Sequence, residues 1–360
     1  MADVLIAPRP APATHHGWRA WLRTQFAASP ASALTSVLML ATLLWLLPDV
    51  WSWAVTRAQF SVDACRAEHA GACWGVVLEK YRLILLGRYP LDEAWRPVVA
   101  TLLLLSMVVA SCLRRCWRPA LAPAWLLALL LGWWFMHGGL GLSRVDTDRW
   151  GGLPLTILLS TLSIALAFPI AVLVALGRRS DWPAVRTVCA TYVEVVRGVP
   201  LVSVLFMASF MFPLLLPQGL TVDVLVRVLA GISLFAGAYM AEVVRGGLQA
   251  LPKGQTEAAA SLGLSYWQTQ RRIVLPQALA TVVPGLMNNF IAIFKDTSLV
   301  TIVSLYELTG SLGLALNSDA DWRPFKLEAY LFIAMIYFVF CWAMSRYAMH
   351  IEQALNRGRA

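Results

Sequence analysis

The sequence predicts an all-α integral membrane protein with about eight transmembrane helices. Composition is the first reason. Of 360 residues, 59% are hydrophobic and 14% charged, against ~25% charged in ordinary soluble domains. Arrangement is the second. The apolar residues fall in stretches of about 20, enough for a helix to cross ~30 Å of hydrocarbon. The third is that most charges lie between those stretches. Together they exclude a water-soluble globular enzyme and a disordered chain, which needs the opposite balance. The net charge of +9 does not point to nucleic acid, because cytoplasmic loops of membrane chains collect Lys and Arg. Five His and six scattered Cys show no metal-ligand spacing, and no catalytic residue is expected.

The expected spans are 33–55, 96–113, 121–140, 152–176, 187–216, 224–244, 280–303 and 327–349. The first follows a Pro/Ala-rich basic tail. It starts too late for a secretory signal and no small-residue cleavage site follows, so it reads as a retained span. A long outer loop, about 56–95, leads to the second. Arg114, Arg115 and Arg118 mark the next inner loop; Arg178, Arg179 and Arg186 mark the one after the fourth span. These loops place the N-terminus in the cytoplasm, and an even span count places the C-terminus there too. The fifth and sixth spans carry Glu194, Arg197, Glu242 and Arg245 near the inner face. Ordinary interfacial charge with snorkelling stems is preferred there over a gate or coupling network. The chain thus divides into 1–148, with three spans and the outer loop, and 149–360, with five spans and a long inner loop, about 245–279.

That inner loop is informative, since long connections without structure of their own are uncommon and tend to be functional. Its Ala-rich stretch predicts a short helix from Thr256 to Leu262, ended by Gly263 in the left-handed region. Ser265 and Gln268 have capping-box spacing, which starts a second helix running to Pro276. The loop is expected to form two short helices at a sharp angle below the membrane. On the residues alone, a helix lying in lipid headgroups with Arg271 and Arg272 on phosphates stands level with a docking surface for another protein.

Lys295 and Asp296 fall about midway along the seventh span, where charge is costly unless paired, solvated or facing a cavity. Asn289 and Asp296 are i, i+7 and share a face, as do Asn288 and Lys295. One reading is a substrate path, with carboxylate and amide for an α-ammonium and a cation for an α-carboxylate. The other is a Lys–Asp pair that locks the span to its neighbours. In the outer loop, Cys65 and Cys73 are placed to form a disulfide if that side is oxidising. Cys112, Cys116, Cys189 and Cys341 read as small hydrophobes.

The motif Glu257-Ala258-Ala259, then Gly263, Ile273 and Leu275-Pro276, resembles the "EAA" loop of membrane permease subunits of bacterial ABC importers. Tyr192 to Leu201, Ala238 to Gly247, Pro252 to Gln255 and Phe294 to Val300 are similar to the polar amino acid permeases. Gly71 to Trp74, Gly87 to Pro90 and Trp95 to Pro97 look like the longer membrane subunit of the general L-amino acid permease group. Val199 and Val204 depart from the pattern, where relatives usually have Thr and many have Gln. The resemblance implies a five-helix ABC importer permease core with a cytoplasmic coupling helix in an EAA loop at about 250–280. Glu257, Ala258, Ala259, Gly263, Ile273, Leu275 and Pro276 would serve ATPase coupling. Asn289 and Asp296, with Lys295 and Ser298, would serve the amino acid substrate. It implies an ATPase dimer in the cytoplasm, a second permease subunit, a periplasmic amino-acid-binding protein, and residence in the bacterial inner membrane. The chain has no G-x-x-x-x-G-K-[ST] phosphate loop, so ATP and Mg belong to the ATPase and no cofactor is expected here. A stand-alone secondary transporter or channel is the alternative. It has no use for an ATPase-docking loop.

Overall fold

The computed structural model describes residues 17–26, 28–67 and 70–357; the tail at 1–16 and residues 358–360 lie outside the described residues. Contacts divide the chain into two compact units, one ending at Gly75 and the other starting at Val76.

The first unit holds α1 (Trp18–Phe26), α2 (Pro30–Trp51) and α3 (Val62–Cys65). A capping box between Ser29 and Ser32 starts α2, and no residue of that apolar helix is buried, as befits a helix surrounded by lipid. Cys65 and Cys73 are joined in a disulfide with Cα atoms 5.5 Å apart. Beside it, the Gln59 amide donates to Ala72 O at 2.8 Å and Trp74 Nε1 to Ala54 O at 2.9 Å.

The second unit opens with α4 (Gly75–Leu86) and the hairpin of α5 (Trp95–Cys112) and α6 (Leu121–His137). Then come α7 (Gly152–Gly177), α8 (Pro183–Gly198), α9 (Leu201–Phe206) and α10 (Val224–Ala250). The long loop after α10 supplies α11 (Gly254–Ser261) and α12 (Tyr266–Thr269), followed by α13 (Leu275–Asp296), α14 (Leu308–Asn317) and α15 (Lys326–Arg357). The core is the α7–α10 pair, flanked by α13 and α15. α7 is apolar on every side. Gly231, Gly237, Ala238 and Ala241 make one face of α10 small enough for close approach.

Among the described residues, six helical stretches are long and apolar enough to cross a membrane, and the bent element that starts with α8 and α9, with a bend of 106°, makes a seventh. The expected span at 121–140 is instead a helix of 17 residues, about 25 Å long, so length and composition do not carry the count of eight. A second correction concerns Pro276. It does not end a helix, and no separate span starts at 280. A π turn, Gln270–Val274, joins α12 to α13, and Pro276 lies at the start of α13. The missing N–H is accommodated where the wider π turn already breaks the regular hydrogen-bond ladder.

The helix ends remote from α11 and α12 are tied by polar groups. Arg96 is fully buried; it pairs with Glu93 and donates to Phe135 O at 2.8 Å and Ser143 O at 2.9 Å. Tyr89 donates to Met136 O at 2.9 Å, and burial pushes its phenol up to about 12. The end of α4 lies on the start of α7, where Gly87, at φ +64°, meets the Gly151 backbone. Lys80 bonds Asp319 at 2.9 Å and holds its carboxyl below the ordinary range. Arg88 donates to Asp148 O at 2.7 Å and covers the Tyr306 ring.

Candidate functional site

α13 carries the charged residues expected in a substrate path. Its Phe294 is buried against Tyr337 and Phe340 of α15, with ring centroids 5.5 and 5.3 Å away. Asp296 is about 200° round the helix from Phe294, so it turns away from α15. Asn289 and Asp296 are half-buried, while Asn288 and Lys295 are exposed. Asn289 Nδ2 donates to Gly285 O at 2.9 Å. Among the described residues, the Asp296 carboxylate makes no hydrogen bond or ion pair, with Lys295 or any other group. Adjacent residues on a helix do not face each other, which is why the Lys–Asp lock does not form. Ser298 is half-buried in the 3-10 turn Thr297–Val303 that follows.

At the other end of this helical path lies the corner of the inner loop. Gly263 ends α11 at φ +72° with open space where a Cβ would go. Ser265 starts α12 in a complete capping box with Gln268. Glu257 and Ala258 are exposed; Ala259 is buried, small enough for α11 to rest on the π turn. Ile273 and Leu275 are half-buried and Pro276 exposed. Leu262, Tyr266 and Trp267 project from the corner, with 79%, 53% and 65% of their surface exposed, an apolar tip unlike a solvated loop.

Between these regions, Glu194, Arg197, Glu242 and Arg245 are not separate interfacial charges. They form one cluster with Arg178, centred on Glu242, which corrects the snorkelling reading. In the sequence, Arg178 reads only as a marker of a basic loop. Tyr239 packs on Phe235 and under Arg197.

One buried carboxylate escaped the sequence reading. Glu307 caps α14, accepting from Thr309 N at 2.8 Å and Gly310 N at 3.1 Å. It also accepts from Tyr337 Oη at 2.8 Å, Thr301 Oγ1 at 3.2 Å and Thr156 Oγ1 at 3.3 Å. Burial pushes its carboxyl above the ordinary range, against those hydrogen bonds. The available signal was a lone acid inside an apolar stretch. Among the described residues, no group of three or more His, Cys, Asp or Glu is placed to hold a metal ion.

Residues 167–357 match the family described as binding-protein-dependent transport system inner membrane component. The chain belongs to that family. The permease is 44% identical over 366 residues to the inner membrane amino-acid ABC transporter permease protein YhdY of Escherichia coli (strain K12), across 100% of this chain and 99% of the relative. It is 35% identical to the glutamate/glutamine/aspartate/asparagine transport system permease protein BztC of Rhodobacter capsulatus, across 98% and 97%. A crystal structure titled an amino acid ABC transporter with histidines covers 56% of the permease and 92% of that chain, at 29% identity and a TM-score of 0.50. The permease is therefore a transport subunit and not an enzyme; ATP is hydrolysed on a separate chain.

Proposed function

We propose that the permease moves amino acids inward across the bacterial inner membrane, forming half of the translocation path beside a second permease subunit. Residues 149–360 are the permease core and 1–148 an N-terminal extension, with both termini in the cytoplasm. An amino-acid-binding protein delivers substrate from outside, as full-length similarity to amino-acid permeases supports. Asp296 and Asn289 receive the α-ammonium, and Lys295 and Ser298 lie beside the path. One observation carries this assignment. Asp296 is a half-buried carboxylate within a span, with no hydrogen-bond or ion-pair partner among the described residues, and such a group is costly unless something else meets it.

The inner loop is the ATPase contact. Gly263 sets the bend, the EAA residues Glu257, Ala258 and Ala259 form the helix before it, and Ile273, Leu275 and Pro276 anchor the helix after it. The exposed Leu262, Tyr266 and Trp267 support a surface that a second protein covers. ATP-driven closure of the ATPase dimer then moves this loop.

The test is uptake of labelled L-amino acids by the whole transporter in liposomes. Asp296→Asn should lose uptake while the ATPase still co-purifies. Near-normal uptake by the double variant Lys295→Met, Asp296→Leu would remove the substrate role. Gly263→Val should uncouple transport, because a β-branched residue is strained at φ +72°. Full transport with wild-type ATPase yield in Gly263→Val, Glu257→Arg would remove the docking role.

A further inference from the structure

Three arginines converge on one carboxylate where α7, α8 and α10 approach the inner face. Glu242 Oε2 lies 2.6 Å from Arg178, just past the end of α7, and 3.9 Å from Arg197, at the end of α8. Arg245, one turn along α10, also bonds Glu242. Arg178 reaches Glu194 of α8 at 3.8 Å. α8 has little apolar anchorage, since Val193 is its one buried residue. Its polar ties go to Arg178 or to α10. Tyr192 donates to Leu234 O at 2.5 Å, Tyr239 donates to Arg197 O at 3.4 Å, and the Arg197 guanidinium covers the Tyr239 ring at 5.4 Å.

Five residues beyond Glu242, Gly247 brings α10 against α13. A Cβ there would sit 2.5 Å from Val282 Cγ1 and 2.7 Å from Ala278 O. α10 enters the inner loop and α13 leaves it, so the neck of the loop is a tight crossing. Gln277 adds a tie across it, to Gln255 at 3.3 Å. A push on the loop is passed to the last turns of α10, and Glu242 rides on those turns.

We propose that Glu242 is the positioning residue through which the inner loop moves α8 and the bent α8–α9 element. The proposal rests on reading that loop as the ATPase contact. An ionic tie suits a joint that must shift. Part-exposed charges separate and re-pair at small cost, whereas interlocked apolar side chains resist sliding. When Glu242 is neutralised, three guanidinium groups face one another with Glu194 as the remaining carboxylate, and like charge drives α8 from its seat.

The whole transporter in liposomes tests this, with labelled amino acid taken up per ATP hydrolysed as the readout and ATP hydrolysis recorded separately. The variants are Glu242→Gln, Arg197→Gln and the two combined. Arg197 is part-exposed, so its loss spares the fold even if Glu242→Gln assembles poorly. Uptake per ATP should fall about tenfold in each single variant, within the usual range of coupling between sites. The double variant should be no worse than Glu242→Gln, because its second change removes a partner already lost. Losses that multiply in the double variant, or uptake per ATP unchanged in Arg197→Gln, overturn the proposal. If the unaltered permease fails to retain the ATPase at all, the docking reading fails and the proposal falls with it.

Discussion

Gly87→Ala tests whether the end of α4 is seated on the start of α7 through backbone contact. Gly87 follows α4 at φ +64°, with Gly151 against it. The left-handed conformation costs an alanine roughly 1–2 kcal/mol. The new Cβ would lie 2.5 Å from Gly151 Cα, whereas non-bonded carbons rest about 3.5–4.0 Å apart. The two backbones must separate by about 1 Å, an overpacking that costs roughly 1–3 kcal/mol. The sum is about 2–5 kcal/mol. Gly139 provides the control. It lies at φ +95° with nothing within 4 Å, so Gly139→Ala carries the conformational cost alone. The assay is thermal unfolding of the purified permease in detergent, followed by loss of the monodisperse peak. At about 1.3 °C per kcal/mol for 360 residues, Gly87→Ala should melt roughly 3–7 °C below the parent, and Gly139→Ala about 1–3 °C below it. Equal melting of the two variants would refute the reasoning, because the contact with Gly151 would then contribute nothing.

A matched pair probes the neck of the inner loop. Gly246→Ala adds a methyl group in open space and should be neutral or stabilising by up to about 1 kcal/mol through helix propensity, whereas Gly247→Ala must push α13 aside and should lower the melting temperature; the same melting assay separates them. Glu307→Ala leaves the buried donors of Thr309, Gly310 and Tyr337 without their acceptor, at about 3–5 kcal/mol in total. Glu307→Gln, which keeps one acceptor oxygen, should cost about half as much, read as the yield of folded protein and its melting point.

The large apolar helices were legible because their cause is local. A stretch such as α7 has no charge to end it, and the small residues of α10 mark a close-packed face. The corner at Gly263 was legible for the same reason, since Ala content, a left-handed glycine and a capping box each act within four residues. The path from Tyr266 into α13 was not, because a π turn leaves no periodic signature and Pro276 reads as a stop. The shared face of Asn289 and Asp296 followed from spacing, but whether Lys295 and Asp296 pair depends on side-chain direction. Arg178 looked like a topological marker until folding brought α7 beside Glu242. Glu307 draws donors from positions 156 and 337 as well as from its own turn, and Gly87 meets a partner 64 positions away. No local pattern encodes those distances.

The helical path from Tyr266 to Asp296 crosses α10 at Ala278, where Gly247 lies against it. At 1.5 Å per residue it reaches about 18 Å below that crossing and about 27 Å above it. It is a lever with its fulcrum off centre. With the crossing held, a sideways step of about 1 Å at the foot returns as about 1.5 Å, in the opposite sense, at Asp296. A charge-assisted hydrogen bond keeps its strength over only a few tenths of an ångström. A motion too small to unwind any helix is therefore large enough to make or break a hydrogen bond at the Asp296 carboxylate, the group proposed to receive the substrate ammonium.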